Sequence, residues 1–83
     1  MKFSYTNKAA KQLESLEFSI QKRIISKMRF YAIQENPLKF AEHLTDYREG
    51  EFRFRIGKYR LTFDARDQEL FILNIELRDK VYK

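Results

Sequence analysis

Thirteen residues in the middle of the chain constrain its fold more than any other segment. The stretch EFRFRIGKYRLTF, residues 51–63, alternates apolar and polar side chains on both sides of Gly57-Lys58. Alternation with a period of two is typical of strands with one buried face, and a two-residue loop that begins with glycine favours a type II′ turn. The sequence therefore predicts a β-hairpin with strands at residues 51–56 and 59–64.

The hairpin loop also predicts which residues face each other. Ile56 pairs with Tyr59, and the next step from the loop places Arg55 opposite Arg60. The apolar side chains of both strands then share one face, which must be buried: Phe52, Phe54, Ile56, Tyr59, Leu61 and Phe63. A slip by one residue would exchange the two faces, so the register is strongly specified.

The opposite face of the hairpin carries Arg53, Arg55 and Arg60. Like charges that face each other across strands destabilise a hairpin by up to about 1 kcal/mol, and a phosphate held between the arginines would remove this cost. The planar guanidinium matches phosphate oxygens, and the net charge of +5 favours a polyanionic partner. A solvated sheet face is also often charged, and Glu51 faces Asp64 near the strand ends, so an ordinary surface remains an alternative.

A first strand and two helices are predicted before the hairpin. The strand covers residues 2–5, and the first helix covers residues 7–17, with Thr6 or Asn7 as its N-cap. Ser19 is predicted to cap the second helix, whose apolar stripe extends to Ala32. Pro37 follows its end, because proline lacks the N–H group and restricts the residue before it. The helices should form an antiparallel hairpin.

The remaining segments complete the predicted fold. Residues 37–50 have no clean period and predict a connecting loop, and residues 70–77 predict a third strand. The core side chains predicted for this strand are Phe71, Leu73, Ile75 and Leu77. Arg78 and Glu76 then belong to the face of the arginines. The order β-α-α-β-β-β predicts a single α+β domain, residues 1–83, with a helical hairpin packed on one face of a small antiparallel sheet.

Several classes of site are not expected. The chain has no cysteine, and no carboxylate cluster has the spacing of metal ligands, so no metal or cofactor is expected. His43, the only histidine, is expected in a loop or at the edge of the core. The N-terminus lacks the apolar region of a signal peptide, and the longest apolar run, Leu70 to Leu73, is far shorter than the roughly 20 residues of a membrane helix. A cytoplasmic protein is expected.

The chain resembles the RelE/ParE toxin superfamily. The resemblance lies in FRFRIGKYRLTF at residues 52–63, in RDKVY at residues 78–82 and in the order of the predicted elements. It implies the RelE-like microbial RNase fold and the role of an mRNA interferase, the toxin of a type II toxin–antitoxin system. Such a toxin cuts mRNA in the ribosomal A site, beside the 16S rRNA, through metal-free attack of the ribose 2′-OH on the adjacent phosphate. A cognate antitoxin protein is the second implied partner.

The resemblance also implies roles for individual residues. Arg60 matches an arginine of the family that contacts the scissile phosphate. Arg78 matches an arginine that stabilises charge on that phosphate or its leaving group. Tyr82 matches a tyrosine that stacks on a base and takes part in proton transfer. Arg53 and Arg55 stand where well-known RelE toxins carry lysines, and arginine stays charged, so it cannot act as the general base. Proton abstraction is then left to the tyrosine, to water or to the ribosome, or else catalysis depends on electrostatics and positioning.

The predicted RNA-binding lysines are Lys58, Lys80 and Lys83. Alternatives stay open for the function and for single residues. The same fold serves ParE-like poisons of DNA gyrase, which generally lack the full set of arginines and tyrosine, and a degenerate toxin would only bind nucleic acid or antitoxin. At the level of single residues, Arg60 could instead pair with Asp64 or Asp79, and Tyr82 could pack on the sheet edge or on the antitoxin.

Overall fold

The computed structural model describes residues 1–46 and 48–77. The elements are, in chain order, β1 (Lys2–Tyr5), α1 (Asn7–Glu14), α2 (Phe18–Ala32), a 3-10 helix (Pro37–Phe40), β2 (Glu42–His43), β3 (Phe52–Ile56), β4 (Tyr59–Arg66) and β5 (Glu69–Leu77). The five strands form one sheet in the order β1-β5-β4-β3-β2, and the helices pack on one of its faces. The α+β prediction is confirmed.

The sheet differs from the prediction in direction and in extent. It is mixed rather than antiparallel, because β1 runs parallel to β5, while the other neighbours are antiparallel. Parallel neighbours need a long crossover connection, and here most of the chain lies between them. The sheet also contains β2, which pairs with the start of β3 and lies where the sequence predicts only a loop.

Both predicted helices form, with corrected boundaries. Thr6 caps α1 by accepting a hydrogen bond of 3.2 Å from the backbone N–H of Ala9, as predicted. This helix ends at Glu14, three residues before the predicted end. The predicted cap at Ser19 is wrong, since α2 already begins at Phe18 and Glu17 precedes it without a capping hydrogen bond from its side chain.

The pairing of β3 with β4 agrees with the predicted register at all five positions, from Phe52 opposite Phe63 to Ile56 opposite Tyr59. Gly57 has a φ of +59°, which glycine adopts without strain at the first loop position of a type II′ turn. The apolar face of the hairpin packs on the helices. Its centre is Phe54, which is fully buried between the rings of Tyr31 and Phe63, with centroids 4.2 and 4.4 Å away.

A β-bulge changes the pattern in β5. Asn74 is opposite Thr62, but the next residue of β4, Phe63, is opposite Ile72, so Leu73 is the extra residue. The bulge exchanges the two faces of β5. Phe71 and Leu73 therefore lie on the face away from the helices, and their predicted place in the core is wrong.

The residues on either side of the bulge complete the core. Ile75 lies after the bulge and is buried at 4% exposure, as predicted, whereas Leu77 at the end of β5 is 45% exposed. Leu70 and Ile72 lie before the bulge and are fully buried, which the predicted alternation did not indicate. The apolar stripe predicted for α2 reaches the same core through Ile24 and Met28.

Gly50 lies close to the side chains of Thr62 and Leu73 at the bulge, where there is no room for a Cβ atom. Its φ is +141°, and a Cβ atom there would lie 2.7 Å from Cγ2 of Thr62 and 3.1 Å from Cδ1 of Leu73. We expect Gly50→Ala to lower the free energy of unfolding by about 1–3 kcal/mol, through backbone strain and overpacking, as measured by urea denaturation. Adding Thr62→Ser removes the Cγ2 methyl group and should recover part of the loss. An unchanged midpoint in Gly50→Ala would contradict the close approach.

Candidate functional site

The arginine face is the side of the sheet away from the helices, where Arg53 and Arg55 on β3 lie beside Arg60 on β4. Arg55 and Arg60 are directly opposite each other, as predicted. The side chains of the three arginines are 21%, 48% and 30% exposed, in chain order. The neighbouring strands contribute a carboxylate on each side, with Glu42 opposite Arg53 and Glu76 opposite Arg60.

Glu42 bridges two of the arginines. Its Oε1 lies 3.1 Å from Nε of Arg53, and its Oε2 lies 3.0 Å from Nη2 of Arg55. Desolvation raises the pKa of Glu42, but the hydrogen bonds and positive charges of both arginines outweigh it, so the pKa lies below its usual value. The Glu42 side chain is therefore ionised at neutral pH, and its charge offsets part of the repulsion on this face.

Arg60 has weaker pairing than its neighbours. Its Nη2 lies 3.6 Å from Oε1 of Glu76, and its Nε is buried without a hydrogen-bond partner among residues 1–46 and 48–77. The other oxygen of Glu76 accepts a hydrogen bond of 3.0 Å from Nδ2 of Asn74. The bulge in β5 aligns Glu76 with Arg60, so this irregularity of the sheet determines the counter-ion of the central arginine.

The arrangement suits the binding of oxyanions. Guanidinium groups bind carboxylate and phosphate oxygens with the same planar geometry and similar distances. Arginines that hold carboxylates at these distances can also bind phosphate oxygens, and Glu76, the more distant partner, stands where such an oxygen would contact Arg60.

A family model described as the ParE toxin of the type II toxin–antitoxin system parDE matches residues 3–82. The chain belongs to the ParE toxin family. It is thus a type II toxin of the RelE/ParE superfamily, as the sequence pattern predicts.

The fold of this ParE-family toxin is also found among solved structures. A chain in the toxin–antitoxin complex RelBE2 of Mycobacterium tuberculosis is similar, with a TM-score of 0.75 and 25% sequence identity. The similarity covers 93% of this toxin and 96% of that chain. No curated protein sequence matches the toxin.

The structure brings together only some of the predicted site residues of the toxin. Arg53, Arg55 and Arg60 share the arginine face, whereas Lys58 is exposed at the hairpin tip. That lysine lines a groove of about 420 Å³ between the hairpin and α2. The other predicted site residues lie outside the described residues: Arg78, Lys80, Tyr82 and Lys83.

Two other expectations concern charged groups near the toxin's sheet. Arg60 contacts Glu76 rather than Asp64, which instead accepts a hydrogen bond of 3.0 Å from the backbone N–H of Glu51. Asp79, the second alternative partner predicted for Arg60, lies outside the described residues. The Glu51 side chain pairs with Arg66, 2.8 Å away. Glu51 and Asp64, which face each other, therefore each have a hydrogen-bond donor of their own.

The aromatic residues near the site divide between the core and the surface. His43 is exposed in β2, and its ring packs edge-on against Phe52 with centroids 4.7 Å apart. Tyr59 packs against the core. Phe40, in the segment predicted as a connecting loop, is 47% exposed. Tyr47 lies outside the described residues.

Within residues 1–46 and 48–77, no three residues of the His, Cys, Asp or Glu types are grouped so that they could hold a metal ion. The same part of the chain contains no helix with the length and apolar character needed to cross a membrane.

Proposed function

We propose that this toxin is a ribosome-dependent endoribonuclease that cuts mRNA in the A site and therefore acts in the cytoplasm. The observation that carries the proposal is the arginine face, where three guanidinium groups are each within ion-pair distance of a carboxylate, as they would be of phosphate. The segment RDKVY supports it further, because Arg78 and Tyr82 complete a set of arginines and tyrosine that ParE-like toxins generally lack. A cognate antitoxin is the proposed protein partner, since the similar chain from RelBE2 belongs to a toxin–antitoxin complex.

In this proposal the arginines stabilise the charge that develops on the phosphate. The scissile phosphate replaces Glu76 as the partner of Arg60, whose existing contact of 3.6 Å is the longest of the three. Arg53 and Arg55 bind the same phosphate or the next one along the backbone. Fixed donors of this kind act at no cost in reorganisation when the charge develops. The roles proposed for Arg78 and Tyr82 are those that the family resemblance implies.

Glu42 is the residue that we assign as proton acceptor. Arginines cannot accept a proton, but the ionised carboxylate of Glu42 contacts both Arg53 and Arg55 on the same face. It takes the proton of the 2′-OH as the bond from O2′ to phosphorus forms and the bond from phosphorus to O5′ breaks. The departing O5′ takes a proton from Tyr82 or water, and the products are a 2′,3′-cyclic phosphate and a 5′-OH.

Glu42→Gln tests this assignment. Because the pKa of Glu42 is low, it is a weak base, so we expect the cleavage rate to fall by about 100-fold, the lower end of general-base effects. Binding of single-stranded RNA should become tighter, since an internal anion that competes with phosphate is removed. Glu35→Gln is the matched control, because it changes the same charge away from the arginine face. Equal cleavage by both variants would refute the assignment.

Poisoning of DNA gyrase is the second candidate function, and the match to a ParE family model favours it. The deciding experiment incubates purified toxin with mRNA, with and without ribosomes stalled at a known codon, and maps the new 5′ ends. Cuts within the A-site codon that require ribosomes would support the RNase. Intact mRNA together with inhibition of gyrase supercoiling in a parallel reaction would support the gyrase poison, and inhibition of neither target would support a degenerate binding domain.

A further inference from the structure

A chain of hydrogen bonds connects α1 to the arginine face. The backbone N–H of Ile75 donates to Oε1 of Gln12 at 2.6 Å, and Nε2 of Gln12 donates to Oδ1 of Asn74 at 2.8 Å. Nδ2 of Asn74 then donates to Glu76 at 3.0 Å, and the other oxygen of Glu76 faces Arg60. Four side chains from α1, β4 and β5 are thus linked in sequence.

The location of this chain follows from the bulge. β1 pairs with β5 only as far as Ile72, and in the part of the chain that the structure describes no strand lies beside the next part of this edge. A backbone N–H left unpaired at a part-buried edge is costly, and Gln12 supplies the missing acceptor for Ile75. The side chain that completes the irregular edge is therefore also the first link toward Arg60.

The direction of the hydrogen bonds is fixed from one end. The backbone N–H of Ile75 can only donate, so the oxygen of Gln12 must face it and the NH₂ group must face Asn74. Asn74 then has to present its oxygen to Gln12 and its NH₂ group to Glu76. Turning either amide over would place like groups against each other. The hydrogen bonds therefore have one consistent direction, and the last donor, the NH₂ group of Asn74, is held against the carboxylate of Glu76 beside Arg60.

We propose that Gln12 and Asn74 are positioning residues for Arg60 in the reaction proposed above, on which this inference rests. They hold Glu76 by one oxygen and orient its other oxygen toward the guanidinium of Arg60. At 3.6 Å this contact aligns Arg60 but leaves it able to exchange the carboxylate for a phosphate. The network therefore sets the orientation in which the arginine meets its substrate.

Gln12→Glu breaks the polarity without changing the shape of the network or any residue of the arginine face. One oxygen of the new carboxylate still accepts from Ile75, but the other faces Asn74 and requires its amide to turn over. Glu76 then loses its donor. Gln34→Glu is the matched control, because Gln34 is a half-buried residue just beyond α2 whose side chain donates to the backbone carbonyl of Phe30, away from the arginine face.

Three measurements on the full chain test the proposal: the thermal midpoint, single-turnover cleavage of mRNA on ribosomes, and the NMR signal of the Arg60 Nε–H group. We expect Gln12→Glu to remain folded, to lower the single-turnover rate constant by about 10-fold with a similar half-saturating ribosome concentration, and to shift the Arg60 signal or speed its exchange with water. Asn74→Asp removes the NH₂ group that donates to Glu76, one residue nearer to Arg60. This variant replaces Gln12→Glu in the experiment if Gln12→Glu unfolds.

The outcomes separate this inference from the proposed function. An Arg60 signal and a rate constant equal to those of Gln34→Glu would overturn the positioning role. If wild-type toxin and Arg60→Ala both leave mRNA uncut, the endoribonuclease proposal fails. The NMR comparison still decides in that case whether Gln12 orients Arg60, because it does not depend on cleavage.

Discussion

Replacing Arg60 with alanine is expected to lower cleavage of A-site mRNA by at least about 100-fold and to abolish growth arrest. A single fixed donor that stabilises developing oxyanion charge contributes about 100- to 1,000-fold to the rate. Arg60 is central to the arginine face, and its 3.6 Å contact with Glu76 contributes little to folding, because both side chains are partly exposed and ion pairs at the surface are worth about 0–1 kcal/mol. The rate is measured by mapping 5′ ends on stalled ribosomes, and folding by circular dichroism.

Arg66→Ala is the matched control for this prediction. Arg66 lies on the same strand and also pairs with a glutamate, Glu51, but at the far end of β4. The Arg66→Ala variant should cleave mRNA at the wild-type rate. Arg60→Lys keeps the positive charge but lacks the planar guanidinium, so its cleavage rate should lie between those of Arg60→Ala and the wild type. Growth arrest that persists in a soluble Arg60→Ala, Arg78→Ala double variant would refute the arginine site.

The hairpin of β3 and β4 is predictable from the sequence because local features specify it. Alternation selects the buried face, and the two-residue loop at Gly57 sets the register, so no distant contact is needed. The bulge at Leu73 is different. Residues 70–73 are all apolar, so the alternation that would reveal an exchange of faces is missing. The pairing of β1 with β5 also escapes prediction, because a strand of four residues does not specify its partner.

The same distinction applies to the site. Arg53, Arg55 and Arg60 are predictable as one face because they belong to the hairpin. Glu42 is not, since it lies in a two-residue strand within a segment that has no period, and only the finished sheet brings it to the arginines. The link between Gln12 and Asn74 joins residues 62 positions apart and depends on the bulge. Local pattern thus predicts the cations, and tertiary structure supplies the groups that pair with and orient them.

Phe54→Ala is expected to abolish growth arrest by a different route, through loss of the fold. Phe54 is fully buried and stacks on Tyr31 and Phe63, so its truncation should cost about 3–5 kcal/mol. At about 0.05–0.15 kcal/mol per residue, a domain of 83 residues has a total stability of only about 4–12 kcal/mol. The loss is measured as a shift of the urea midpoint.

Phe18→Ala is the control for side-chain size, because Phe18 is 72% exposed and its removal should barely change the midpoint. Equal midpoints for Phe54→Ala and Phe18→Ala would contradict the packing of the core. The contrast with Arg60→Ala identifies what the toxin needs. If the proposals hold, loss of growth arrest in Phe54→Ala follows the fraction of unfolded protein, whereas Arg60→Ala is inactive while fully folded. The hairpin then serves two separate purposes, with one face that stabilises the fold and one that binds the phosphate.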